Sequence, residues 1–169
     1  MNALAVVAVL PVLAFAGQAQ AQLPGSNVTA ADRAAIASCL RDSGESPRTC
    51  IGTITVVCTR QGTANRDEAR IGCSRREAAV WRERLEVALL ALSQRLESGS
   101  RSRLASVQRS WEAYAMQKCA FVGEVQPPAQ APAMQAGCEL RETALRSIEL
   151  ERLIRRRAQS SSPRPQLHR

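Results

Sequence analysis

The chain has 169 residues, 45% hydrophobic and 3% aromatic, with 23 Lys and Arg against 15 Asp and Glu for a formal net charge of +8. Its one histidine, His168, lies in a polar C-terminal stretch, which argues against Ser–His or Cys–His hydrolysis. So few aromatics argue against a stacking platform for nucleic acid despite the basic balance.

Residues 1–21, MNALAVVAVLPVLAFAGQAQA, are uncharged, run apolar to Phe15 and close on Ala19-Gln20-Ala21. That is the small-x-small pattern of a secretory cleavage site, and the apolar run is shorter than the roughly 20 residues of a membrane span. Residues 1–21 are therefore expected to be a signal peptide, with a periplasmic or secreted mature chain from Gln22. No cysteine follows that cut, so the chain is not expected to be a lipoprotein.

Export decides the chemistry of the six cysteines, Cys39, Cys50, Cys58, Cys73, Cys119 and Cys138. No CxxC pair exists and no internal histidine could join them, so a disulfide framework is expected and zinc is not. Many connectivities are open. The preferred one is sequential, Cys39–Cys50, Cys58–Cys73 and Cys119–Cys138, because each closes a short loop containing Gly or Pro turn signals. Bridges of this span contribute about 2–4 kcal/mol apiece, mainly by restricting the unfolded chain.

Thr29 followed by Asp32 resembles a capping box and predicts a helix through Ile36 and Leu40 that Gly44 can end. Ser46-Pro47 reads as an N-cap with Pro at the first helical position. The segment CIGTITVVC is rich in β-branched residues, yet no partner strand is visible, and a helix is preferred. A polar loop is expected over 61–72, QGTANRDEARIG. Trp81, Leu85, Ala88, Leu92 and Leu96 then form a helical stripe, ended by Ser98-Gly99-Ser100. A second helix presents Leu104, Val107, Trp111, Tyr114 and Ala115 inward, and the short connection makes the two helices antiparallel neighbours. Pro127, Pro128 and Pro132 predict an irregular loop over 125–137. A last helix begins near Cys138 and carries Leu145, Ile148 and Leu153 inward.

The predicted class is all-α: a small disulfide-stapled domain over 22–150 with a central antiparallel helix pair. Residues 151–169 are expected to be a basic, disordered tail. Six arginines lie from Arg152 onward with no acid among them, so the other 17 basic residues face all 15 acids and net only +2 upstream.

Cys73, Glu77 and Trp81, at steps of four, share one helical stripe. Glu77, Glu83 and Glu86 could suggest paired carboxylates, but interleaved Arg76, Arg82 and Arg84 describe a solvated face with local ion pairs. Cys73 is expected to anchor a disulfide. Glu77 is expected to meet a nearby arginine or a backbone amide in the first turn of the long helix, where negative charge is favoured, and Trp81 to pack on the facing helix near Trp111. No catalytic residue, metal or cofactor is expected, and no Gly-rich phosphate loop occurs.

The run Cys73-x3-Glu77-x3-Trp81-x3-Leu85, then Gln108-x2-Trp111, Cys119, Cys138 and the Arg141–Arg146 segment resembles the lysozyme-inhibitor LprI-like family. Cys50-Ile51-Gly52 with Cys58 extends the resemblance upstream, to about residues 39–150. It implies a helical, disulfide-stapled domain of the bacterial envelope that binds and inhibits lysozyme without catalysis. Arg82 departs from the acid common in the family, and Val122-Gly123-Glu124 from its Gly-Gly pair. Inhibition by occlusion would use the proline loop, Val125 to Ala136, as the presented element. The alternative is an envelope interaction module whose basic C-terminal tail contacts an anionic surface or acidic partner.

Overall fold

A computed structural model describes residues 28–61 and 66–160. The expected signal peptide and residues 161–169 lie outside them. The described chain is helical throughout, and no helix in it is long and apolar enough to cross a membrane.

The first helix, α1, spans Ala30–Asp42. Its capping box is complete: the Asp32 amide donates to Thr29 Oγ1 at 3.2 Å, and the Thr29 amide donates to Asp32 Oδ2 at 2.8 Å. Gly44, at φ +55°, lets the chain turn away in the left-handed conformation that favours glycine. A short 3-10 turn, Pro47–Cys50, follows, with Pro47 in its first position. The β-branched segment does fold as a helix, α2 (Thr53–Gln61).

Helix α3 runs Arg66–Ser93 and so starts inside the segment read as a polar loop. Asp67 and Glu68 in its first turn suit the positive end of the helix dipole, which the loop reading overlooked. The stripe ends earlier than predicted, at Ser93. Ser98-Gly99-Ser100 are not the stop but the first residues of α4, Ser98–Glu124. Helix α5, Ala131–Ser160, likewise begins well before Cys138. Pro132 sits in its first turn, where a missing N–H costs nothing, so only residues 125–130 connect α4 to α5. At its other end α5 continues to Ser160, ten residues into the segment read as a disordered tail.

Helix α5 is the common partner of both long helices. Along α3 it runs in the same direction: Ala78, Val80 and Trp81 pack with Leu140, Ala144 and Ile148, and further on Leu85, Ala88 and Leu92 pack with Leu150. Against α4 it runs oppositely, with Gln108 meeting Arg146 and Lys118 meeting Glu142. The two helices joined at 94–97 are therefore antiparallel, but the chief neighbour of each is α5.

This changes two packing expectations. Trp81, fully buried, packs with Ile36, Cys50 and Ile54 as well as α5, whereas Trp111 belongs to the other cluster beside Leu85 and Leu104. On α4, Leu104, Trp111 and Ala115 turn inward as predicted, but Val107 and Tyr114 are more than half exposed. A helix packed on one neighbour buries a narrower stripe than one set between two. On α5, Ile148 is buried, Leu145 partly so, and Leu153 is exposed.

Three disulfides tie neighbouring elements in sequential order. Cys39–Cys50 joins α1 to the 3-10 turn, Cys58–Cys73 joins α2 to α3, and Cys119–Cys138 joins α4 to α5. Replacing Trp81 by Ala should cost about 3–5 kcal/mol in denaturant unfolding, the range for a large buried aromatic. Val107→Ala should change stability by less than about 0.5 kcal/mol, as expected of an exposed side chain. Equal losses would restore the wider inner face for α4.

Candidate functional site

The Cys73–Glu77–Trp81 stripe faces α2. Glu77 is fully buried, and its carboxylate accepts from three backbone amides: Gly52 at 2.7 Å, Ile54 at 3.0 Å and Thr55 at 2.8 Å. Trp81 Nε1 donates to the same group at 3.1 Å. Those amides belong to the start of α2, where the Gly52 carbonyl accepts the first helical bond from Val56. Helix N-termini leave amides unpaired, and glycine has no side chain to cap them. A carboxylate from α3 does so instead, with favourable charge at the dipole's positive end. Gly52 stands at φ +102°, a conformation that a side-chain-bearing residue rarely adopts.

Glu77 thus meets backbone amides of α2 rather than one in the first turn of its own helix, and among the described residues it makes no ion pair with an arginine. The neighbouring carboxylates do pair with arginines. Arg33 grips Glu83 through two 2.7 Å hydrogen bonds, and Arg76 grips Asp32 through two of 2.8 Å. Both tie α1 to α3. Burial works against a charged Asp32, but donors from Arg76 and Thr29 outweigh it and hold its carboxyl below the ordinary 3.8. The Arg33 hydrogen bond likewise holds Glu83 below the ordinary 4.5.

The second part of the motif joins α4 to α5. Gln108 is buried; its Oε1 accepts from Arg146 Nε at 3.1 Å and its Nε2 donates to Glu112 at 3.1 Å. The Arg146 guanidinium lies 5.8 Å from the centre of the Trp111 ring, a cation–π distance. Leu85 is buried in the cluster that contains Trp111. Glu77, Trp81, Leu85, Gln108 and Trp111 therefore hold the frame in two separate nodes, and none of them presents a reactive group to solvent.

Among the described residues, two surface features are candidates for binding. One is the α4–α5 tip, where Phe121, Val125 and Met134 are exposed around Pro127-Pro128 and the Cys119–Cys138 bridge holds the two helices together. The groove at this tip is lined by Glu124 and Glu139 and by Arg75 from α3. The other is a cleft of about 870 Å³ between α1 and the C-terminal half of α5, lined by Arg41, Arg84, Arg152, Arg155 and Arg156. Reading the sequence missed this cleft, because three of its arginines were assigned to a tail. Their i, i+3, i+4 spacing at 152, 155 and 156 was the signal for a shared helical face.

The family model described as "Lysozyme inhibitor LprI" matches residues 58–150, more than half of the 169-residue chain. No curated protein and no solved structure matches the chain.

Glu77→Ala should destabilise the fold by on the order of 3–5 kcal/mol, because it strands several buried donors at once. Hydrogen exchange should show α2 losing protection before α5; uniform loss would mean that Glu77 does not specifically hold α2. Asp32 and Glu83 bind protons less readily when folded, so the stability they contribute is present above their unfolded values and lost as pH falls through the folded ones. The melting temperature should hold down to about pH 5 and fall below about pH 4, and Arg76→Gln should flatten that fall.

Proposed function

The chain belongs to the LprI lysozyme-inhibitor family, and from that premise we propose that it is an exported, non-catalytic protein that inhibits a lysozyme by occluding it. Three disulfides support an oxidising compartment outside the cytosol, since such bridges persist there. An occluding inhibitor needs no reactive group, only a rigid frame with an exposed contact element.

The observation that carries the reading, beyond the family match, is the α4–α5 tip. It exposes Phe121 and Val125 beside a proline pair, and the Cys119–Cys138 bridge limits the ordering cost of binding. Glu124 and Glu139 line the groove there with Arg75, so the tip lacks the positive excess of the whole chain and repels a basic enzyme less. The presented element is shorter than the predicted Val125–Ala136 loop. It consists of residues 125–130 with the helix ends on either side.

The oxidised chain, Gln22 to Arg169, should inhibit animal or bacterial muramidase in a cell-wall lysis assay at micromolar concentration. Reducing the disulfides should abolish the effect. Phe121→Asp should weaken inhibition about tenfold or more with the helical content unchanged, the loss expected for an aromatic interface anchor. Inhibition that survives Phe121→Asp and Val125→Asp would move the contact away from the tip. No inhibition of any muramidase tested would end the occlusion reading.

A further inference from the structure

The arginine cleft lies away from the tip and is unused by the reading above. Five guanidinium groups converge there with two carboxylates, Glu45 and Glu151. Glu151 is engaged by Arg84 at 2.8 Å and by Arg155 at 3.9 Å. Arg152 has one long hydrogen bond, 3.4 Å to the Glu45 carbonyl. Among the described residues, Arg41 and Arg156 make no hydrogen bond or ion pair. The cleft therefore holds more positive charge than its own acids neutralise.

Arginines at helix C-termini are favoured by the dipole, which accounts for Arg41 in the last turn of α1 and for the basic end of α5. It does not account for Arg84, which lies within α3. Arg84 Nε is buried and has no hydrogen-bond partner among the described residues. A buried donor without an acceptor is costly, and native folds rarely leave one. Arg84 also marks the boundary of a second cleft, of about 480 Å³, whose walls include Val80, Val87, Ala88, Ala91 and Ile154. The two clefts share Ala37, Arg84 and Glu151. An arginine-rich cleft therefore adjoins a mainly aliphatic one, with the Arg84–Glu151 pair in the wall they share.

We propose that this double cleft binds a small amphipathic anion: a phosphate or carboxylate headgroup held by Arg41, Arg84 and Arg156, with an alkyl chain lying against Val87, Ala91 and Ile154. A bare inorganic anion would leave the aliphatic chamber unused. A neutral alkyl compound would leave the excess positive charge unanswered. The headgroup could come from a free acyl or alkyl anion or from a membrane lipid, and the two sources are separable by experiment.

Isothermal titration of the oxidised chain, Gln22 to Arg169, with monomeric dodecyl phosphate should show saturable 1:1 binding, and dodecanoate should behave alike. Inorganic phosphate and dodecanol should each bind at least about tenfold more weakly, each lacking half of the contact. The double reversal Arg41→Glu/Arg156→Glu should weaken dodecyl phosphate about tenfold or more, as should Val87→Asp alone. Arg103→Glu/Arg109→Glu on α4 should leave binding unchanged. All of these residues are exposed, so circular dichroism and, at physiological salt where charge is screened, muramidase inhibition should stay as in the parent. Absence of saturable binding would overturn the proposal, as would equal weakening by the α4 control. Phosphate binding as tightly as its dodecyl ester would remove the aliphatic arm. Binding to phosphatidylglycerol vesicles without binding to the monomer would replace the site with a membrane-contact surface.

Discussion

The N-terminal half of this fold depends on one buried carboxylate. Helix α2 has nine residues, with six β-branched side chains in TITVVCTRQ and a glycine where a capping side chain would stand. A helix that short is marginal in water. Glu77 supplies the missing cap from another helix, and Trp81 fixes the carboxylate from one turn further along. The Cys58–Cys73 bridge secures α2 to the same helix one turn before Glu77. The three residues at steps of four thus supply a covalent bond, a charged cap and an apolar wall to a single neighbour. Without the cap, several donors would be buried and unpaired, a cost comparable to a large part of a small domain's stability.

The other organising element is α5, whose composition looks too polar for a central helix. It buries Glu142, Thr143, Arg146 and Ser147 along with Leu140, Ala144, Ile148 and Leu150. The charged residues are tolerable because each meets a partner from another helix: Lys118 for Glu142 and Gln108 for Arg146. Glu151, at the edge of the core, meets Arg84 in the same way. Apolar contacts alone would leave the sliding of α4 along α5 weakly defined. The polar pairs and the Cys119–Cys138 bridge set it, because a shift of one turn would strand every partner.

The features legible in the sequence were those with a local cause. The capping box needs only Thr29 and Asp32, and the steps from Trp81 to Leu92 need only a 3.6-residue period. Glu77 could be paired in principle with an amide, but nothing in its own neighbourhood points to α2, whose amides are more than 20 residues away. Helix ends were misplaced where the punctuation was ambiguous. Pro132 stops a helix from within yet starts one comfortably, and Ser98-Gly99-Ser100 was read as a stop when the break falls just before it. Val107 and Tyr114 have the spacing of core residues, and only the number of neighbours around α4 decides that they stay outside. The arginine cleft takes residues from α1, α3 and α5, so no single segment could disclose it.

The proposed muramidase contact and the proposed anion site lie at opposite reaches of α5, and this bears on the chain's net charge. A protein at +8 would be repelled by a basic enzyme if its charge were spread evenly. It is not spread evenly: at the tip Glu124 and Glu139 stand with the single Arg75, whereas Arg152, Arg155 and Arg156 lie near the far end of the helix. From Ala131 to Arg155 a straight helix rises roughly 36 Å at 1.5 Å per residue. The screening length at physiological salt is about 8 Å, so an enzyme meeting the tip is largely shielded from the basic end. At low salt that shielding fails and the arginines oppose the encounter. Salt should therefore speed association with a basic muramidase, and an anion seated in the cleft should reduce the same repulsion. A mainly acidic tip on an otherwise neutral protein would show the reverse, with association slowing as salt rises.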